Sequence, residues 1–178
     1  MLCSLLSPGL AAAATGLPNS APADWITLNA HNVFSLRVPP RTSFRWEQGI
    51  DSFASTIVGP DFEIVFDYGM YSPGLEREEH NPRYTVSSVL IDGRPSQIVA
   101  GPNLGQWGCK RRFMVGLYVP NVTSGRARWY ALDPHHWLTL LLVNGPELTT
   151  KLAMSACIGS QEQIPVMKQI FRSIRFDN

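Results

Sequence analysis

A thiol becomes a nucleophile when a neighbouring base holds it as thiolate, and Cys109 with His135 or His136 is the pairing this sequence offers for that role. No family-like spacing fixes the pair. Buried, inert cysteine is the simpler reading of Cys109 and Cys157. A serine nucleophile would need a strained Gly-x-Ser-x-Gly turn. The nearest phrase, Gly159-Ser160, falls at the cap of an expected helix instead. For a metal, His135 and His136 are adjacent, so an extended backbone would point them to opposite sides. His31 and His80 are remote in sequence, and Asp133 is the only acid near the pair. Asp51 and Asp67 would be the carboxylate pair of a glycosidase. They read better as turn formers, in Asp51-Ser52 and Asp67-Tyr68-Gly69, because short Asp side chains bond nearby backbone N–H groups. Gly101-Pro102-Asn103-Leu104-Gly105 places Pro where a phosphate cradle needs an N–H donor. No catalytic residue, metal ligand or cofactor is expected.

Two loops carry residues suited to recognition. Pro120–His136 is long for a compact domain and holds Arg126, Arg128, Trp129, Tyr130, His135 and His136, and arginine with large aromatics is the usual makeup of a binding hot spot. A hairpin tip whose Trp tucks back onto the core is the plainer alternative. Gly105–Arg112 sets Trp107 before Lys110-Arg111-Arg112, which makes Trp107 and Arg111 further partner-binding candidates. A basic run beside an aromatic suits anionic sugars, lipid headgroups or RNA; a solvated face is the alternative here too. The chain has 15 Lys and Arg against 14 Asp and Glu, a net charge of +1, and acidic Glu76, Glu78 and Glu79 lie elsewhere, so nucleic acid is not the expected partner. An unknown protein or a small anionic ligand is.

These loops need a scaffold, and 178 residues suffice for one core. Charged residues are 16%, below the ~25% usual for soluble domains, while 44% are hydrophobic, which excludes a disordered chain. The N-terminus differs from the rest. From Met1 to Leu36 Asp24 is the only charged residue, and Leu2–Ala14 is a short apolar run ending in four alanines. Ala12-x-Ala14 fits a signal-peptidase site, and the run is too short to span a bilayer, which takes ~20 apolar residues. No basic n-region precedes it, as a start codon placed too far downstream would explain. Residues 1–24 are therefore expected to be a leader and linker, and 25–178 one exported domain, periplasmic or secreted. A disordered Ala-rich tail is the alternative for the leader, and lipidation at Cys3 would instead anchor the chain.

Alternation dominates the remainder. Phe34, Leu36 and Val38 share one face of Val33–Val38; Phe62, Ile64, Phe66 and Tyr68 share one face of Phe62–Tyr68; Phe113, Val115, Leu117 and Val119 alternate with Arg112, Met114 and Gly116. Tyr84–Ile91 and Ser96–Ala100 flank Asp92-Gly93, a pair that tolerates the positive φ of a tight hairpin. Trp137–Val143 reads as a central strand, and Asn144-Gly145-Pro146 turns it into Lys151–Ile158. Ile164, Met167, Ile170, Phe171 and Ile174 fall at helical spacing, with Ser160–Gln163 as a capping phrase and Pro165 suited to the first helical position. Ser173-Ile174-Arg175-Phe176 then leaves the helix to finish the core. The expected fold is α+β, a single mainly antiparallel sheet packed against the C-terminal helix. If 112–119, 137–143 and 151–158 form a meander, Cys109 and Cys157 sit at opposite ends, roughly 20 Å apart at ~3.3 Å per residue. A disulfide, which an even cysteine count in an exported chain suggests, needs Cα atoms within ~7 Å. Two separate thiols are therefore expected, unless a different strand order or a swing of the 101–111 loop joins them. That leaves an envelope hydrolase using Cys109 or Cys157 as the alternative to a non-catalytic binding or accessory domain.

Four phrases, Gly49-Ile50-Asp51-Ser52, Asp67-Tyr68-Gly69-Met70-Tyr71-Ser72, Ile91-Asp92-Gly93-Arg94 and Ser173-Ile174-Arg175-Phe176, resemble those of small uncharacterised exported bacterial proteins. The ending, a helix followed by S-I-x-F, is similar to that of PsbP-like domains. Over residues 31–176 the resemblance implies an antiparallel sheet between helices, an α/β/α sandwich, and an envelope location. It supplies no catalytic residues. Such a domain should carry a helix in its N-terminal half, and only Ser43–Ser55 leaves room for one.

Overall fold

A computed structural model describes residues 21–46, 52–69, 72–105, 109–122 and 150–177. Its main body is a seven-stranded antiparallel sheet. With β1 (Ile26–Ala30) and β2 (Phe34–Val38) set aside, its strands are β3 (Ser43–Trp46), β4 (Phe53–Val58), β5 (Phe62–Gly69), β6 (Thr85–Ile91), β7 (Arg94–Pro102), β8 (Phe113–Val122) and β9 (Thr150–Ile158). They lie in the order β3-β4-β5-β9-β8-β7-β6. A short helix α1 (Glu76–Glu79) precedes β6, and α2 (Ile164–Arg172) follows β9. The two-residue β10 (Arg175–Phe176) pairs with β2, which pairs with β1 in a small second sheet. The chain is thus α+β, mostly antiparallel sheet with a C-terminal helix. Among the described residues no helix is long and apolar enough to cross a membrane.

The alternating residues do what their spacing requires. Phe62, Ile64 and Phe66 of β5, Leu152 and Met154 of β9, and Val115 and Leu117 of β8 line one face of the large sheet. That face is covered by Phe34, Leu36 and Val38 of β2 and by Met167, Ile170 and Phe171 of α2. Phe66 is fully buried at its centre, meeting Phe34, Phe44 and Phe53 edge-on at 5.2, 6.3 and 5.3 Å between centroids. Burial of these side chains, ~1.5–3 kcal/mol apiece, drives the layers together. The opposite face is partly covered by residues 72–84, where Leu75 and Tyr84 pack on Val99 and Met114. Gly116 permits this, since a Cβ there would lie 2.9 Å from both Leu75 Cδ2 and Val99 Cγ2.

The C-terminal helix forms as expected, entered through a 3₁₀ turn, Gln161–Gln163, so that Pro165 is its second residue. Gln163 Oε1 reaches back to the N–H groups of Gly159 (2.9 Å) and Ser160 (3.2 Å), supplying acceptors that the helix start lacks. Ile174 and Phe176 leave the helix and enter the core.

Three expectations change. The stretch Ser43–Ser55 holds no helix among its described residues: it contributes β3 and the start of β4, because Phe53, Thr56, Ile57 and Val58 are strand formers that pair with β5. β8 runs on to Val122 across an irregularity where Asn121 takes φ 53°, so the loop expected from Pro120 begins later. Most consequentially, β8 pairs directly with β9. Two directly paired antiparallel strands place the start of one beside the end of the other, and the register sets Met114 opposite Cys157. Cys109 and Cys157 therefore meet at the same end of the sheet and form a disulfide, Cα–Cα 5.7 Å, where separate thiols were expected. Trp137–Val143 and the turn after it lie outside the described residues.

Candidate functional site

The described residues offer one surface loop with an unusual degree of bracing, the connection from β7 to β8. At its start Asn103 donates its backbone N–H to the Arg112 carbonyl (2.8 Å), closing the base of the loop. Its side-chain amide donates to the carbonyls of Cys109 (2.9 Å) and Arg111 (2.7 Å), and its Oδ1 accepts from Gly105 N–H (2.9 Å). One side chain so replaces the pairing partners that a sheet would have supplied. Cys109 then ties the loop to Cys157, which is 2% exposed on β9. The Arg111 guanidinium donates to the Asp61 carbonyl in the β4–β5 turn, which also accepts from Gln163 Nε2 at 3.3 Å. Three segments are thereby fastened together at one end of the sheet.

On this frame Lys110 and Arg112 are exposed, while Arg111 is half-buried and committed to Asp61. Of the expected partner-binding residues, Arg111 is the one within the described structure, and there it braces. Trp107, Arg126, Arg128, Trp129, Tyr130, His135 and His136 lie outside the described residues. Glu162 sits at the same end beyond β9, where the Ser160 hydroxyl and then its own backbone N–H hold its carboxyl below the usual range. Lys110 and Arg112 thus present two exposed cations on the braced backbone. Neither bridged sulfur is a free thiolate, so the hydrolase reading loses its cysteine nucleophile.

Of the remaining chemical candidates, Asp51 and Asp133 lie outside the described residues, and Asp67 and His31 have structural partners. Asp67 accepts a hydrogen bond from the buried Ser72 hydroxyl (3.1 Å), which also faces the Gly69 carbonyl at 3.2 Å. The Tyr68 hydroxyl hydrogen-bonds Thr150 Oγ1 at 3.0 Å. His31 sets its ring edge-on to Phe53 at 5.7 Å, and His80 stands at the C-cap of α1, its backbone N–H donating to the Glu78 carbonyl. Among the described residues no group of three His, Cys, Asp or Glu is placed to hold a metal ion.

Two of the four phrases meet in space. Asp92 Oδ2 accepts from the Phe176 N–H (3.0 Å) and from Arg94 Nη1 (3.2 Å), and the Arg94 guanidinium lies 4.6 Å from the centroid of the Phe176 ring. Ile91-Asp92-Gly93-Arg94 and Ser173-Ile174-Arg175-Phe176 are thus the two halves of a clasp between hairpin and C-terminus. Beside it lies a depression of about 400 Å³ lined by Leu90, Asp92, Gly93, Arg172 and Arg175. Arg175 is occupied there, donating to the Ile174 carbonyl (2.7 Å) at the end of α2. Sequence reasoning missed Asn103 as the organiser of the basic loop. Its signal was present in Asn103-Leu104-Gly105, an Asn followed two residues later by a Gly, which takes φ 86°. Compared with known proteins, the chain matches no family model and no curated protein.

Proposed function

We propose that this chain is an exported, non-catalytic binding or accessory domain, and that an anionic ligand docks on the braced 103–112 loop. The observation that carries the reading is the bracing itself. The disulfide, the Asn103 amide and the Arg111–Asp61 bond fix the backbone that displays Lys110 and Arg112. Preorganised cations spend little ordering entropy on binding, which is how a small loop obtains useful affinity. The same disulfide supports export, because such bonds persist in oxidising compartments. The PsbP-like sandwich belongs to this proposal as well, supported by a sheet with α2 on one face and the α1 segment on the other.

The test uses heparin, a sulfated polysaccharide, as probe. The wild-type chain should be retained on a heparin column at low salt and released as salt screens the contact. Lys110→Ala/Arg112→Ala should flow through with an unchanged Tm, while Arg172→Ala, away from the loop, should elute with wild type. Equal retention of the loop variant and wild type would sink the assignment of the site.

A further inference from the structure

We infer that β6 is a self-association edge, along which a second copy of this chain pairs antiparallel about a two-fold axis at Ser88. This goes beyond the binding role of the 103–112 loop and uses a different surface. The hairpin sets the geometry. Asp92 and Gly93 both have positive φ (49° and 77°), the signature of a two-residue type I′ turn. Such a turn closes on a hydrogen-bonded pair, here Ile91 and Arg94, and the register continues unbroken from there to Thr85 and Ala100. Alternation then turns the N–H and C=O groups of Leu90, Ser88 and Val86 away from β7, toward an edge that no strand among the described residues pairs.

Those same three residues expose their side chains. Val86 is 39% and Leu90 68% exposed, large values for apolar residues on a sheet, and Ser88 between them is exposed too. Natural edges are blunted by charge, proline or brevity. The opposite edge of this sheet obeys that rule: β3 has four residues and carries Arg45, paired with Glu63 at 3.6 Å. β6 does not, since Thr-Val-Ser-Ser-Val-Leu-Ile has seven residues with neither charge nor proline.

The occupant follows from symmetry and charge. Ser88 is the midpoint of β6. A second β6 laid antiparallel on the first places Ser88 opposite Ser88 and Val86 opposite Leu90 of the other copy. All the outward backbone groups then pair, adding roughly six ladder bonds in the antiparallel pattern. The exposed apolar residues cover one another, and no charge on either strand is buried. Val86 of the second copy also lands beside Leu90, at the rim of a depression of about 610 Å³ lined by Ser88, Leu90, Pro95, Gln97, Tyr118 and Pro120. A seam one strand long is narrow and belongs with weak, reversible interfaces, below ~1,200 Å² in total.

The test is site-directed cross-linking of the full chain in a Cys3→Ala background. Residues directly opposite across a hydrogen-bonded pair have Cα atoms ~5.5 Å apart, within disulfide reach. Ser88→Cys should give a covalent dimer under mild oxidation. Val86→Cys should not link to itself, yet should link to Leu90→Cys when the two are mixed. Sedimentation should show a concentration-dependent dimer of the native chain, and Ser88→Lys should remain monomeric to at least tenfold higher concentration with its Tm unchanged. A native chain monomeric throughout would overturn the inference. So would a dimer that survives Ser88→Lys, or Val86→Cys linking as readily as Ser88→Cys.

Discussion

Reducing the bond between Cys109 and Cys157 should cost this protein a large part of its stability. The cross-link spans 48 residues of sequence. Closing a loop of that length in the unfolded chain removes about 4 kcal/mol of conformational entropy in the loop-closure account. Total stabilities run to ~5–15 kcal/mol, so the bond is a major term. At about 2–4 °C per kcal/mol for a chain of this size, Tm should fall by roughly 8–16 °C. The assay is thermal unfolding by circular dichroism with and without reductant, with alkylation and mass measurement confirming that both thiols were released. Reduction is preferred to substitution as the first perturbation. Cys157 is 2% exposed, so Cys157→Ser would also bury a hydroxyl and confound the comparison. Cys109→Ser, which lies at the half-buried end of the bond, should reproduce the loss. An unchanged Tm after verified reduction would refute the loop-closure reasoning, and thiols already free before reduction would refute the pairing and the strand order that produces it.

Four further outcomes follow from named contacts. Phe66→Ala should destabilise by about 3–5 kcal/mol in denaturant titration, because three aromatic rings lose their common neighbour. Asn103→Ala should cost about 1–3 kcal/mol and speed hydrogen exchange at Gly105, whose N–H loses its acceptor; unaltered exchange would mean the loop is held otherwise. Ser155 is fully buried and its Oγ has no hydrogen-bond partner among the described residues, so Ser155→Ala should leave Tm level or raise it, and a drop of several degrees would contradict the placement. Burial first, and then the Glu78 carboxylate, raise the Tyr84 pKa above its ordinary 10.0, while its hydroxyl donates to the Pro102 carbonyl at 2.8 Å. The folded state thus holds this proton more tightly than the unfolded one; the resulting stability is complete below pH 10.0 and disappears as pH rises through the folded value. Tyr84→Phe should flatten that alkaline fall in Tm, and an identical slope in both proteins would argue against it.

Much of the fold was legible because period-two patterns are local. The faces of β2, β5 and β8, the Asp92-Gly93 turn and the stripe of α2 each follow from a few adjacent residues. Strand order is not local. Whether β8 meets β9 directly depends on packing across the sheet, and a 137–143 strand placed between them would hold apart the two cysteines that the direct pairing joins. β4 was missed for a related reason: Phe53–Val58 alternates Phe, Ser and Ile against Ala, Thr and Val, a weak contrast that leaves the strand's faces alike. At the candidate site the basic run was visible, but the sequence could not show that Arg111 turns inward to Asp61 while its neighbours stay outside. The clasp between Asp92 and Phe176 joins positions 84 residues apart, which no local pattern reveals.

Whether this is an exported domain braced by a disulfide is decided by the intact mass of the protein, isolated from its own source and alkylated without reduction. The predicted result is a chain that begins near Thr15, with Cys109 and Cys157 joined and unmodified. A chain retaining Met1 to Ala14, with both cysteines alkylated, would contradict it.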